Sequence, residues 1–257
     1  LASRPCRAII RMPRVFRLNW AGILQPNENR NIVWIASYPK SGNTWVRSIL
    51  YCATHGKVEL NQMGDLIPSF TNCVERFAND RGLSEIDDAA ELWGDTQQWI
   101  SSLGGFRVIK THNICGRIGG IPHPDPKLTH AAICVVRDPR DVAVSYANHY
   151  GRTLDQAVKL LQMEDNFTFQ PDNPFRKSLI GSWQTNFTSW LDASFPVLAV
   201  RYEDLLAAPE QEITRILEFL NLKPAIPPRE IVSLTSFGNL SRLERLEGFD
   251  EVSEKAE

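Results

Sequence analysis

Residues 38–45, with the sequence YPKSGNTW, combine the residue types of an anion-binding loop. Glycine and small hydroxyl residues allow successive backbone N–H groups to converge on one point, and a helix that follows adds its own free N–H groups there. Lys40, Ser41 and Thr44 supply side-chain donors. The stretch therefore predicts a phosphate or sulfate site, although the Pro-Lys-Ser-Gly tetrapeptide alone also fits an ordinary surface turn.

The order of residues in this loop differs from that of a Walker A loop. G-x-x-x-x-G-K-S/T places the lysine at the end of the loop beside a magnesium-binding hydroxyl, whereas here Lys40 precedes the single glycine, Gly42. Trp45 fits two interpretations, which are packing in the core and stacking on a purine.

Lys110, Thr111 and His112 form a second polar group, directly after an apolar stretch. Histidine is the side chain best suited to accept a proton near neutral pH. A lone histidine often has a structural role, but the strand before His112 should end beside the Lys40 loop, which favours a catalytic one. The other histidines have no such placement and are interpreted as structural or solvated: His55, His123, His130 and His149.

Arg137 and Ser145 form a third group. Arg137 leaves an uncharged stretch directly into an Asp-Pro turn, and Ser145 follows eight residues later. A guanidinium at a strand end and a hydroxyl on the next helix can bind one phosphate through charge-assisted hydrogen bonds. The alternative is a capping salt bridge from Arg137 to Asp138 or Asp141.

The hydrophobic pattern places each group at the end of a predicted strand. Strands are predicted at 31–37, 106–110, 131–136 and 197–200. Helices are predicted at 44–55, from Asp138 onward, at 178–193 and at 211–220. The alternation predicts an α/β fold of three layers, αβα, with a central, mostly parallel sheet. Ligands of such sheets bind at the carboxyl ends of the strands.

Composition excludes several classes of protein. The 257 residues are 43% hydrophobic and 23% charged, which is typical of globular proteins and not of disordered, collagen-like or coiled-coil chains. A formal net charge of −2 argues against a nucleic-acid binder, and no apolar stretch approaches the roughly 20 residues of a membrane-spanning helix. The five cysteines form no CxxC pair, so we predict reduced core thiols, a cytoplasmic protein and no metal site.

The charge is distributed unevenly. Residues 1–27 contain five arginines and no acid, which leaves 28–257 with a net charge of −7. We therefore predict a basic N-terminal extension at 1–30 and one domain at 31–257. An acidic domain that binds an anion must concentrate its cations locally, and we expect them at Lys40, Lys110, Arg137 and Arg140.

Together the three groups resemble the motifs of the sulfotransferases of the cytosolic type that use 3′-phosphoadenosine 5′-phosphosulfate (PAPS), in a variant similar to bacterial members. The family's loop YPKSGTTW differs from residues 38–45 only at Asn43, and its Lys-x-His segment matches 110–112. Its motif Arg-Asn/Asp-x-Lys/Arg-Asp-x-x-x-Ser matches 137–145. Shorter matches are Gly-Ser-Trp at 181–183, Tyr-Glu-Asp at 202–204 and Thr-Ser-Phe at 235–237.

The resemblance implies a P-loop-like version of the fold and a role for each matched residue, without a metal. Residues of the loop would hold the 5′-phosphosulfate: Ser41, Gly42, Asn43 and Thr44. Residues around the adenosine would be Trp45, stacked on the adenine, and Tyr202, Thr235, Ser236 and Phe237. Arg137 and Ser145 would hold the 3′-phosphate. Lys40 would stabilise the leaving phosphate, His112 would be the general base, and Lys110 would assist at the sulfuryl group.

The family's C-terminal Arg-Lys-Gly motif, which closes over the 3′-phosphate, has no match here. Either the sequence is a fragment, or Arg137 and Ser145 hold this phosphate alone. Two other functions stay open, a kinase-like phosphoryl transferase and a non-catalytic nucleotide-binding protein.

The expected acceptor is the hydroxyl of a small molecule, a phenol or an alcohol, bound by a monomer or homodimer. Its specificity should depend on residues 59–103 and 151–177. Aromatic residues there either line an apolar pocket or belong to the core: Phe70, Phe77, Trp93, Trp99, Phe167 and Phe169.

Overall fold

The structure is a computed structural model that describes residues 30–83, 88–170 and 172–248. The predictions for the arginine-rich stretch 1–27 and for the last nine residues, 249–257, fall outside the described residues.

Four parallel strands form the central sheet. They are β1 (Ile32–Ser37), β2 (Arg107–Thr111), β5 (Thr129–Val136) and β8 (Val197–Arg201), in the spatial order β2-β1-β5-β8. Two antiparallel hairpins lie outside it: β3 (Gly116–Ile118) with β4 (Ile121–His123), and β6 (Phe167–Gln170) with β7 (Asn173–Leu179). The predicted parallel sheet is confirmed.

Helices fill the connections between the strands. Between β1 and β2 lie α1 (Asn43–His55), α2 (Leu60–Leu66), α3 (Phe70–Asn79), a 3-10 helix (Ala89–Leu92) and α4 (Trp93–Ser102). After β5 come α5 (Pro139–Tyr150), α6 (Leu154–Leu161) and α7 (Trp183–Leu191). After β8 come α8 (Tyr202–Ala207), α9 (Pro209–Phe219), α10 (Pro228–Leu234) and α11 (Phe237–Glu247). Within the described ranges, no helix has the length and apolar character needed to cross a bilayer.

Strand β1 is buried on both faces, and its alternate residues enter two different hydrophobic clusters. Val33 and Ile35 pack in a cluster that includes residues of α1, α9 and α10. Ile32, Trp34 and Ala36 pack on the opposite face against residues of α3, α4 and α7. Since a strand covered on both faces needs apolar residues at every position, its sequence is a continuous apolar stretch. The three-layer arrangement is therefore confirmed.

The helix predicted at 178–193 begins later than expected. Ser178 belongs to β7, and α7 starts only at Trp183, where the Ser182 hydroxyl accepts a hydrogen bond from the Thr185 N–H. Gly181 has a φ of +66°, a left-handed conformation that a continuing helix does not allow. Of the apolar residues before this glycine, Leu179 belongs to the β6–β7 hairpin and Ile180 packs against residues of α5 and α6, so they mimic helical spacing without forming a helix.

Candidate functional site

The parallel register brings the carboxyl ends of all four sheet strands to one edge. Ala36 pairs with Thr111, Ser37 with Val135 and Val136 with Arg201. The chain leaves β1 toward β2 on one side and leaves β5 toward β8 on the other, so the ends of β1 and β5 meet where the strand order reverses. This is the position at which open α/β sheets bind ligands.

The loop after β1 has a backbone conformation that suits an anion. Lys40 has a φ of +68°, which is rare for a residue with a Cβ atom, and Gly42 has a φ of +104°. A Cβ on Gly42 would lie 2.6 Å from the Tyr202 ring, so only glycine fits. Asn43 and Thr44 begin α1, where N–H groups have no acceptor within the helix. The Ser41 hydroxyl is buried and has no hydrogen-bond partner in the described part of the chain.

The Asn43 side chain faces the sheet. Its Nδ2 donates to the Ile35 carbonyl oxygen at 3.1 Å and to Ser37 Oγ at 3.2 Å. These bonds tie the start of α1 to the end of β1. Any contact between Asn43 and an anion therefore falls to its backbone N–H.

Arg137 is held against the same loop. Its Nη1 donates to the Lys40 carbonyl oxygen at 3.2 Å, and its guanidinium lies 4.4 Å from the centre of the Tyr202 ring. Its Nε is buried without a hydrogen-bond partner among the described residues. Trp183 fixes the backbone, since its Nε1 donates to the Arg137 carbonyl oxygen at 3.2 Å. In the sequence analysis, only the Gly-Ser-Trp match at 181–183 pointed to a role for Trp183.

Arg140 does not join this group, contrary to the expectation from the charge distribution. Its guanidinium forms an ion pair with Asp138 two residues before it and is largely exposed. The hydrogen bond from Arg140 lowers the pKa of the Asp138 carboxyl to about 2. The capping salt bridge considered for Arg137 is thus formed by Arg140, because Asp138 caps α5 and the Arg140 side chain returns to it.

Trp45 and Tyr202 meet beside Gly42. Their ring centres are 5.5 Å apart in an edge-to-face arrangement. Trp45 is partly buried against the core, and its Nε1 is buried without a partner in the described part of the chain. Packing against the core and against Tyr202 therefore accounts for part of the Trp45 surface.

The charges around Lys40 come from three other elements. Burial lowers the pKa of Lys40, Glu244 on α11 raises it, and Arg137 lowers it. The pKa of His149 on α5 is lowered by burial and by Lys40. The sequence analysis missed Glu244 and interpreted His149 as structural or solvated. His149 lies one helical turn after Ser145, so their four-residue spacing is the signal that could have found it.

His112 is fixed in one tautomer. Its Nδ1 lies 2.8 Å from the Ser37 carbonyl oxygen and 3.4 Å from Ser37 Oγ. Since a carbonyl oxygen can only accept, Nδ1 carries the proton, and in the neutral ring Nε2 has the lone pair. The buried Asn186, which the sequence analysis missed, donates to the His112 carbonyl oxygen at 2.9 Å. The backbone and one ring nitrogen of His112 are therefore both held in place.

A cavity of about 850 Å³ adjoins this histidine. Lys110, Thr111 and His112 line it, together with Phe70 and Phe167 from the aromatic residues considered for an acceptor pocket. The other aromatic residues behave differently. Phe77 and Trp93 are buried, Trp99 packs against a core cluster, and the side chain of Phe169 lies outside the described part of the structure.

The Thr-Ser-Phe segment has structural uses of its own. Thr235 is 1% exposed and donates to the Ile231 carbonyl oxygen at 2.7 Å. Ser236 caps α11 by accepting from the Asn239 N–H, and Phe237 is 78% exposed. The described contacts do not join these three side chains to the Lys40 loop. Ser145, half-buried on α5, likewise makes no described hydrogen bond to that loop.

Four of the five cysteines lie in the described part of the chain. Cys52, Cys73 and Cys134 are free and buried, whereas Cys115 is free but only partly buried. Among residues 30–83, 88–170 and 172–248, no three His, Cys, Asp or Glu side chains form a group that could hold a metal ion.

One edge of the sheet therefore brings together a loop whose backbone conformation suits an anion and a histidine held in one tautomer. The chain belongs to the sulfotransferase family, since the sequence model described as "Sulfotransferase domain" matches residues 30–253. Sulfotransferase 1E1 of Cavia porcellus is 26% identical over 213 residues, which cover 74% of this chain and 59% of that protein. Sulfotransferase 1A1 of Bos taurus is 29% identical over 217 residues, which cover 81% of this chain and 65% of that protein. The chain thus spans about three-fifths of the length of these relatives.

Solved structures agree on the fold. Mouse sulfotransferase SULT7A1, complexed with PAP, has a TM-score of 0.53 and 20% sequence identity over 82% of this chain and 65% of its own. Retinol dehydratase, in complex with androsterone and inactive cofactor PAP, has a TM-score of 0.50 and 19% identity over 87% of this chain and 71% of its own. The P-loop-like fold implied by the resemblance is confirmed.

Proposed function

We propose that the chain transfers the sulfuryl group of PAPS to a hydroxyl of a small-molecule acceptor. The observation that carries the proposal is that the end of β1 positions both halves of this chemistry. The Ser37 carbonyl fixes the tautomer of His112, and the anion-binding loop with Lys40 begins directly after Ser37. The proposed base and the proposed anion-binding loop therefore both adjoin the carboxyl end of the same buried strand.

The residues present fit the anionic donor. The Ser41 hydroxyl and Arg137 Nε are buried donors without partners in the described part of the chain, and the amides of Asn43 and Thr44 begin a helix. Buried donors left unpaired cost free energy, so a ligand that pairs with them binds favourably. Ser41, Gly42, Asn43 and Thr44 would hold the 5′ end, with Asn43 acting through its backbone. Arg137 and Ser145 would hold the 3′-phosphate.

Each catalytic side chain has a defined task in this proposal. When bound, PAPS supplies a sulfuryl group linked to a phosphate that leaves as an anion. The Nε2 atom of His112 accepts the proton of the acceptor hydroxyl, while Lys40 stabilises the charge on the leaving phosphate and Lys110 the charge at the sulfuryl group. Fixed cations do this at no cost of reorganisation, so the proposal includes no metal ion.

The remaining assignments belong to the same proposal. Trp45, Tyr202, Thr235, Ser236 and Phe237 would surround the adenosine. The hydroxyls of Thr235 and Ser236 already form hydrogen bonds with the backbone of Ile231 and Asn239. We therefore assign the contact of these two residues with the adenosine to their backbone. A domain at 31–257, a monomeric or homodimeric state and a cytoplasmic location stay predictions.

The test combines an acceptor screen with one substitution. Purified protein with PAPS is screened against phenols, alcohols, sugars and amines, and products are detected by the mass of one added sulfuryl group. His112→Ala should lose transfer by about 100-fold or more, because general-base catalysis contributes about that much. Binding of the product nucleotide PAP, measured by calorimetry, should stay near normal.

The matched control is His130→Ala, which removes a partly buried histidine that packs against Phe106 near the opposite end of the sheet. Full transfer by His112→Ala would remove that residue from the mechanism. Turnover of ATP with magnesium in place of PAPS would support a phosphoryl transferase instead. Binding of PAP without transfer to any acceptor would support a non-catalytic nucleotide-binding protein.

A further inference from the structure

The cavity beside His112 has polar walls. On one side, α2 and α3 contribute Asp65, Ser69 and Asn72. The side chains of Asp65 and Asn72 make no hydrogen bond or ion pair within the described part of the chain. They therefore offer a carboxylate and an amide to whatever enters.

The opposite wall is the β6–β7 hairpin. Thr168 and Ser178 are register partners on its two strands, so their side chains lie on the same face of the hairpin. Both line the cavity, and neither hydroxyl has a hydrogen-bond partner in the described residues. Ser178 is buried as a residue, so its hydroxyl would be sealed from water once the cavity is filled.

The two walls are joined before any ligand binds. Glu75 on α3 accepts a hydrogen bond from Asn173 Nδ2 at 2.8 Å and forms an ion pair with Arg176 at 2.9 Å, both on β7. The separation of the polar groups on the two walls is therefore preset. A preformed site discriminates between ligands by how well they pair with it.

An apolar phenol would fit such a site poorly. It would cover hydroxyl, amide and carboxylate groups without replacing their hydrogen bonds to water, at about a tenfold loss of affinity for each group left unpaired. Sites that are built to hydrogen-bond a ligand reject an analogue that lacks the matching groups by roughly 10⁴-fold or more. The rings that line the cavity, Phe70, Tyr146, Tyr150 and Phe167, supply apolar surface for one face of a ring.

We infer that the acceptor is a polyhydroxylated molecule of the carbohydrate class, a sugar or glycoside, which is sulfated on an alcohol hydroxyl. The inference rests on the proposed function. The acceptor oxygen forms a bond to the sulfur of PAPS as the bond from sulfur to the phosphate oxygen breaks. The hydroxyl proton passes to His112, and the products are a sulfate ester and PAP.

The experiment uses acceptors that share one aromatic group. The phenol 4-methylumbelliferone is compared with its glucoside, galactoside, N-acetylglucosaminide and cellobioside, in which the phenolic oxygen is blocked and only sugar hydroxyls remain. We expect at least one glycoside to be sulfated with a kcat/KM about tenfold or more above that of the phenol. Binding of PAP is measured in parallel by calorimetry.

Substitutions then test the hairpin wall. Thr168→Val and Ser178→Ala remove the two hydroxyls with little change of shape. Each should reduce kcat/KM for the glycoside about tenfold without reducing transfer to the phenol, which no longer has to cover an unpaired hydroxyl, and PAP binding should stay unchanged. The control is Thr214→Val, which removes an exposed hydroxyl of α9 outside the cavity.

The outcomes separate the two levels of the proposal. If the phenol is sulfated and is preferred to every glycoside, the acceptor class is wrong and the proposed function stands. If PAP binds but neither the phenol nor any glycoside is sulfated, the inference fails and the wider acceptor screen decides the proposed function. If Thr168→Val and Ser178→Ala leave glycoside transfer unchanged, the hairpin wall does not select the acceptor and the inference fails. If PAP does not bind and no acceptor is sulfated, the proposed function fails as well.

Discussion

Lys40 combines three properties in a single residue. Its backbone has a positive φ, its carbonyl oxygen accepts from Arg137, and its ammonium group is partly buried at the end of β1. The backbone contacts would persist after a change of side chain. The charge of Lys40 can therefore be tested separately from the shape of the loop.

We expect Lys40→Met to reduce kcat/KM by about 100-fold or more, because it removes a cation from the leaving phosphate while keeping an unbranched side chain. The affinity for PAP should fall by a smaller factor, about tenfold, since the loop amides remain. Steady-state kinetics and calorimetry measure the two quantities. Lys57→Met is the control, as Lys57 is an exposed residue paired with Glu59. An unchanged rate in Lys40→Met would show that the loop amides alone carry the leaving group.

At the scale of elements, two helices bring charge to the loop that follows β1. Helix α5 carries His149 into electrostatic contact with Lys40, and α11 carries Glu244. A carboxylate beside the anion site stabilises the Lys40 ammonium but repels an anionic donor. Under the proposed function, we expect Glu244 to weaken donor binding while it raises the pKa of Lys40.

Glu244→Gln should separate these two effects. Glu244 raises the pKa of Lys40, so its removal lowers that pKa, and Lys40 loses its proton at a lower pH than in the unmodified chain. The high-pH limb of the activity profile should move to lower pH. On the low-pH side of the Lys40 titration, PAP should bind about two- to fivefold more tightly because one repulsion is gone. Calorimetry at several salt concentrations and a pH–rate profile measure both effects, and Glu218→Gln on α9 is the control. A weaker binding of PAP by Glu244→Gln would contradict this role of α11.

At the scale of the whole molecule, the sequence predicts the elements that the core dictates. The strands of the sheet are short apolar stretches because both faces are covered, and α1 ends at Gly56, whose left-handed conformation closes the helix. The β6–β7 hairpin and the true start of α7 were not predicted, because the sequence does not show the contacts between β7 and α3. They are placed by tertiary contacts such as the ion pair between Glu75 and Arg176.

The site is harder to predict from the sequence than the sheet is, for a physical reason. Lys40, His112 and Arg137 follow strands, so their meeting at one edge could be predicted. The contacts that orient them use backbone carbonyls, as in the bonds from His112 to Ser37 and from Arg137 to Lys40. Every residue has a backbone carbonyl, so the sequence does not show which of them accept these hydrogen bonds. Glu244 comes from an element distant in sequence, and its charge near Lys40 depends on how α11 packs.

A nucleotide that bridges the ends of β1 and β5 should stabilise the whole fold, because it binds the folded chain only. At a concentration of about 100 times its Kd, PAP should add about 2.7 kcal/mol to the free energy of unfolding. For a domain of this size that raises the Tm by about 5–10 °C.

AMP, which lacks the 3′-phosphate, should give a smaller shift at the same concentration. Arg137→Gln should remove most of the difference between the two nucleotides, whereas Arg117→Gln, at an exposed position of β3, should keep it. Thermal melts of the three proteins measure these shifts, and equal shifts for PAP and AMP in the unmodified chain would contradict a 3′-phosphate site at Arg137.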